Sequence, residues 1–187
     1  WLDYAISLMN FQQAYEAIQQ KPQSLWCATL RTQAWQQWQS QGLPHKNNEA
    51  WRNSKIQSAL NALAQREFTP AKPSEQRVNL NASQIAGVDV LRLVFVGGVL
   101  ASQYADLRHL PKGVSLDSLT VASSESHWSS VLSPDAQYPL SHIAFALCDE
   151  VLRITVAAGV VVEQPLHLHF FDGGPQTVSS TQVHIVL

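Results

Sequence analysis

Two prolines within four residues, in Thr69-Pro70-Ala71-Lys72-Pro73-Ser74, divide the chain where neither a helix nor a central strand passes easily. The hydrophobic period changes across this point. Before it, Leu8, Phe11, Tyr15 and Ile18 recur at steps of three or four, which places them on one helix face between Trp1 and Gln20. Pro22 ends that pattern and Ser24 is placed to cap a second helix. There Cys27, Leu30, Ala34 and Trp38 share a stripe, and Gly42 is placed to end it. A third helix is expected over residues 54–65, with Ile56, Leu60 and Leu63 inward.

Beyond the prolines the pattern becomes that of strands. Val88 to Val96 alternates weakly and ends at Gly97-Gly98, a turn signal. Leu152, Ile154 and Val156 alternate with Arg153 and Thr155. Leu166, Leu168 and Phe170 alternate with His167 and His169, and Val183, Ile185 and Leu187 continue the pattern. A short helix over residues 141–147 would turn Ile143, Ala144 and Leu147 inward. The Ser-rich stretch 101–138 carries no clear period. Short strands spaced in this way fit a sheet, a sandwich or a β-solenoid. One solenoid coil cannot bury its own face, so that reading expects more coils. The chain opens on Trp1 and closes inside an alternating pattern at Leu187; it is read as a fragment.

Charge and motifs exclude several functions. The formal charge is -2, without the basic excess that neutralising many phosphates needs, so no nucleic-acid partner is expected. The longest apolar run, Ile154 to Val162, is about half a membrane span, and no membrane association is expected. Cys27 and Cys148 are far apart and outside any CxxC pair, which suits a reducing, cytoplasmic setting. Neither is expected to be catalytic: Cys27 lies on an apolar stripe, and Cys148-Asp149-Glu150 reads as a turn after a helix. Gly97-Gly98 and Asp172-Gly173-Gly174 lack the surroundings of a phosphate-binding loop. Ser126-His127 adjoin without a nucleophile elbow. Asp135 and Asp149-Glu150 do not form the paired acids of a glycosidase. No catalytic residue is assigned.

One pattern suggests a metal. His167 and His169 project from one strand face, close enough to share an ion, and His184 on a later strand is a candidate third ligand. The competing reading is a stripe of histidines facing solvent or a partner.

The segment from Gly42 to Arg52 reads as a corner between helices. Gly42 and Pro44 stop one helix, Asn47 or Asn48 caps the next, Glu49 suits its first turn, and Trp51 buries a ring. This corner resembles a signature of the SufB/SufD family of the SUF iron–sulfur cluster assembly system, and most closely that of its SufD members. The residues that carry it are Gly42, Leu43, Pro44, Lys46, Glu49, Trp51 and Arg52, with Arg31 and Ala34 on the preceding helix. Leu91 to Gly98 and Ile154 to Phe170 agree with it in the same order. Asn47 and Asn53 depart from the pattern, where a second basic residue and an aromatic are usual.

The resemblance implies an α+β protein: an N-terminal helical domain (1–68), a linker (69–86) and the first coils of a right-handed parallel β-helix (87–187). It implies a non-catalytic scaffold subunit with SufB-like and SufC-like (ATPase) partners, and residues of the assembly site beyond Leu187. It gives this stretch no cofactor of its own, the cluster being handled by the whole complex. The alternatives are a parallel β-helix enzyme acting on polysaccharide and a histidine-based metal-binding module.

Overall fold

The computed structural model describes residues 2–42, 44, 49–56, 58, 59, 62, 78–118, 138–174 and 177–187. Helix α1 spans Leu2–Gln19 and stops short of Pro22, as its period predicts. Phe11 and Ile18 are buried and Tyr15 packs beside them. Helix α2 spans Leu25–Gln41 and buries Cys27, Arg31, Ala34, Trp35 and Trp38. Ser24 stands at its N-cap position, but its side chain makes no capping bond. Gly42 closes the helix at φ 72°, donating its N–H to the Trp38 carbonyl.

The two helices are joined by aromatic packing. Phe11 meets Trp38 edge-on at 5.6 Å and Tyr15 stacks on Trp35 at 4.6 Å. Helix α3, Pro139–Ala146, completes this layer, with proline in its first turn where a missing N–H costs nothing. Its inward face differs from the expected one: Ala144 is exposed, and His142, Ile143, Phe145 and Ala146 are buried. The layer packs on Leu147, Cys148 and Val151, so the helical core runs directly into the sheet region.

Of the helix expected over residues 54–65, the described residues Ile56, Ser58, Ala59 and Ala62 are helical, the Ala59 N–H donating to the Lys55 carbonyl at 3.1 Å, and Ile56 packs on the helical core; Leu60 and Leu63 lie outside the described residues. The double-proline segment, Ser126-His127 and Asp135 also lie outside them.

Among the described residues there are six strands: β1 Leu91–Val96, β2 Val99–Leu100, β3 Val114–Ser118, β4 Cys148–Val156, β5 Leu166–Phe171 and β6 Ser180–Val186. They form two three-stranded sheets, ordered β2-β1-β5 and β3-β4-β6. Leu93 and Phe95 of β1 meet Leu152 and Ile154 of β4 in a shared core, with Leu166, Leu168 and Val183 packed against it. Within each sheet one pair is parallel. β1 aligns with β5 from Leu91↔Leu166 to Val96↔Phe171, and β4 with β6 from Cys148↔Ser180 to Thr155↔Val186. The other pair in each sheet is antiparallel, β1 with β2 and β3 with β4.

The fold is thus α+β, and each sheet is mixed, one parallel pair beside one antiparallel pair. The Gly97-Gly98 turn, with φ 56° and 85°, folds β2 back on β1, and β3 lies back along β4. Each antiparallel strand covers one edge of a sheet that would otherwise present unpaired backbone groups. β5 and β6 occupy the opposite edges.

Four further expectations change. Cys148, Asp149 and Glu150 begin β4 rather than forming a turn. The stretch 101–138 contains β3 and a 3-10 turn at Leu107–His109. Phe170 shares the inner side with Phe95, stacking on it at 4.8 Å, yet is 59% exposed because its strand lies at the sheet edge. Ile185 and Leu187 are exposed on β6 and just after it.

Gly98 tests the packing at the turn. A Cβ there would lie 2.9 Å from the Ser179 Cβ and 3.0 Å from Asp149 Oδ2, whereas at Gly87, also at positive φ, it would meet nothing within 4 Å. Both alanine variants carry the left-handed backbone cost of about 1–2 kcal/mol. Gly98→Ala is expected to lose about 1 kcal/mol or more beyond Gly87→Ala in urea titration, because Ser179 and Asp149 must move. Equal losses would contradict this packing.

Candidate functional site

At the signature corner Pro44 is fully buried. Beyond it, Glu49–Trp51 forms a 3-10 turn, in place of the first turn of a regular helix. Ser54 donates its N–H and its hydroxyl to the Trp51 carbonyl, at 3.0 and 2.9 Å. Trp51 is half-buried, and Glu49 and Arg52 are exposed. Leu43, Lys46, Asn47 and Asn48 lie outside the described residues. Among the described signature residues, Gly42 closes α2 and Glu49 and Trp51 bound the 3-10 turn.

A polar cluster does form where the helical layer meets β4. Arg31 is buried, and its Nη2 donates to the Cys148 carbonyl at 2.5 Å while Nη1 donates to Gln23 Oε1. Lys21 Nζ donates to Asp149 Oδ1 at 2.5 Å. Glu150 Oε2 accepts the Leu100 N–H, and Thr181 Oγ1 donates to the Gly98 carbonyl at 2.7 Å. These bonds tie α2, the β1–β2 turn, β4 and β6 together. Burial pushes the Asp149 carboxyl up from its ordinary value, against the opposing pull of Lys21, the Ser180 amide and Arg31.

The sequence contained one clue to this cluster. Only four of the first 41 residues are charged, and Lys21 and Arg31 are its only cations, so each long basic side chain was a candidate for a specific partner. The partners themselves are more than a hundred residues away in the chain.

Both cysteines are buried. Burial raises the Cys27 thiol, and raises that of Cys148 to about 12, so neither is available as a thiolate near neutral pH.

The structure brings His167 and His169 together, with ring centroids 3.7 Å apart and planes at 44°. They lie opposite Arg92 and Val94 across the β1–β5 ladder. His169 is 4% exposed, so it does not belong to a solvent-facing stripe. Both rings line a cleft of about 520 Å³ that includes Gln84, Gly87, Asp89 and Arg92. Burial, then the neighbouring His167 and Arg92, hold His169 below its ordinary pKa. His184 is not brought to this cleft: it lies in the other sheet, opposite Arg153, with Gln182 Oε1 3.4 Å from its Nε2. Among the described residues no three His, Cys, Asp or Glu side chains are grouped to hold a metal ion.

The helical layer packs directly on the start of β4, and the sequence matches one family over most of its length. Residues 6–168 match the family described as the SufBD protein N-terminal region, from within α1 into β5. The chain belongs to the SufB/SufD family. Among curated proteins, none matches it. Membership gives this SufB/SufD chain a role in SUF iron–sulfur cluster assembly and participation in SUF complexes. Among its described residues no helix is long and apolar enough to cross a membrane.

Proposed function

We propose that this chain forms the N-terminal part of a SufD-like scaffold subunit, which has no catalytic role of its own and works with SufB-like and SufC-like subunits in iron–sulfur cluster assembly. The observation that supports this is the paired parallel register. β1 and β4 each carry a following strand, β5 and β6, in nearly the same alignment. Two strands of one turn stacked on two of the next is how a parallel β-helix starts, and β2 and β3 then serve as its edge caps. Such a body presents a long rigid face, which suits a scaffold. Two buried free thiols suit the reducing cytoplasm as its place of work. The iron–sulfur cluster is cargo of the complex rather than a resident group of this segment.

The polysaccharide reading gains nothing from the geometry. Asp149 is engaged by Lys21 and Glu150 by the Leu100 N–H, so neither is a free acid of a hydrolytic pair.

Co-expression of the full-length protein with SufB-like and SufC-like subunits tests the proposal. Affinity capture of a tag on this protein is expected to retain both in stable proportion. Recovery of neither would overturn it.

A further inference from the structure

We infer that the cleft beside β5 binds a divalent cation of the borderline transition-metal class, such as Zn²⁺ or Co²⁺, through the imidazoles of His167 and His169. The geometry begins with strand alternation, which sends residues two apart to the same side. Here it sets two imidazoles side by side on β5, and both line the same cleft. The Nδ1 of His167 is buried with no hydrogen-bond partner among the described residues. A buried ring nitrogen without a partner is costly, and a metal ion satisfies its lone pair when the ring is neutral.

The charges around the pair favour a cation over an anion. Arg92 lies opposite His167, but its Nε and its backbone N–H both donate to Asp106 Oδ2, at 3.4 and 3.0 Å. Asp89 lines the same cleft, its Oδ2 accepting from Gln164 Nε2 at 2.5 Å. An incoming anion would meet one cation already paired, beside a carboxylate. An incoming dication would meet two imidazoles and that same carboxylate.

No third protein ligand is grouped with them among the described residues. Water then completes the coordination, and the ion is held loosely and exchanges, unlike the closed four-ligand site of a structural zinc. His184 has no part in this site, so the chelate rests on two histidines of one strand.

Calorimetric titration of the full chain with Zn²⁺, and with Co²⁺ read by its visible absorption, tests the inference. Saturable one-to-one binding is expected. The double variant His167→Gln/His169→Gln is expected to weaken it by about tenfold or more, and His184→Gln to leave it unchanged. In the unaltered protein, nitrogen-15 NMR of the imidazoles is expected to show the His167 and His169 ring nitrogens moving with Zn²⁺ while His184 stays still. Absence of binding, binding retained by the double variant, loss of binding in His184→Gln, or shifts confined to other histidines would each overturn it. The NMR experiment needs no substitution, so the inference stays testable even if the double variant misfolds.

Discussion

Replacing Arg31 by methionine is expected to lower stability by about 3–5 kcal/mol, the usual cost of removing one partner from a buried charged network. Methionine fills much of the same volume, so the loss is chiefly electrostatic. Three groups would be left behind. The Cys148 carbonyl and the Gln23 amide lose the donors that Arg31 supplies. Asp149 loses one of the two cations that favour its charged form. Chemical denaturation of the variant against the parent measures this, and a loss below about 1 kcal/mol would show that the cluster contributes little.

Lys21→Met probes the same cluster with a different signature. Its side chain is 36% exposed, so water screens the pair and the expected cost is smaller, about 2 kcal/mol. The pH dependence separates the two components. Burial raises the folded-state pKa of Asp149 above its ordinary value. A group raised in this way binds more protons folded than unfolded, so its contribution to stability grows as pH falls through the folded pKa. This is the reverse of an acid whose pKa is depressed by a salt bridge. Without Lys21 the elevation is larger, because only Arg31 and the Ser180 amide still favour the anion. The cost of Lys21→Met is therefore greatest near neutral pH and shrinks as acid protonates Asp149. Denaturation midpoints of parent and variant across that range should converge toward low pH; a gap that widens there would contradict the burial of this carboxyl.

What the sequence shows and hides follows from how far apart the partners are. The stripes of α1 and α2 were legible because Phe11 and Ile18, and Cys27, Ala34 and Trp38, repeat with the helix period itself. Leu152 and Ile154 were legible for the same reason in a strand, and Gly97-Gly98 because a tight turn needs positive φ. Cys148-Asp149-Glu150 looked like a turn because two adjacent acids rarely enter a core. They enter this one because Lys21 and the Leu100 N–H, distant in sequence, receive them. β3 was hidden because Val-Ser-Leu-Asp-Ser has two apolar residues and takes its strand form from its pairing with β4. In α3 the inward face departs from the sequence pattern at Ala144, since eight residues make too few turns to fix a phase. Of the three histidines, strand alternation predicted the His167–His169 pair. It could not predict that β6 joins the other sheet and takes His184 with it.

Trp38→Ala is the second change with a large expected effect. The ring is fully buried, touches Phe11 edge-on at 5.6 Å, and lies 5.0 Å from Trp35. Truncating it removes both contacts and opens a cavity between α1 and α2, at a cost of about 3–5 kcal/mol. For a chain of this length that lowers the thermal midpoint by roughly 6–20 °C. Trp38→Phe keeps an aromatic ring against Phe11 and is expected to lose less than half as much. Where the loss appears matters more than its size. The core that holds Trp38 also contains Leu147, Cys148 and Val151, so it reaches from the helical layer into the start of β4. Arg31 and Lys21 bind β4 from the same layer. Helices and sheets that share a core in this way unfold together. Trp38→Ala should therefore shift one common transition, with far-ultraviolet dichroism and tryptophan fluorescence coinciding. Two separated transitions, the helical one alone displaced, would mean that the layers fold independently and that the contacts across β4 do not couple them.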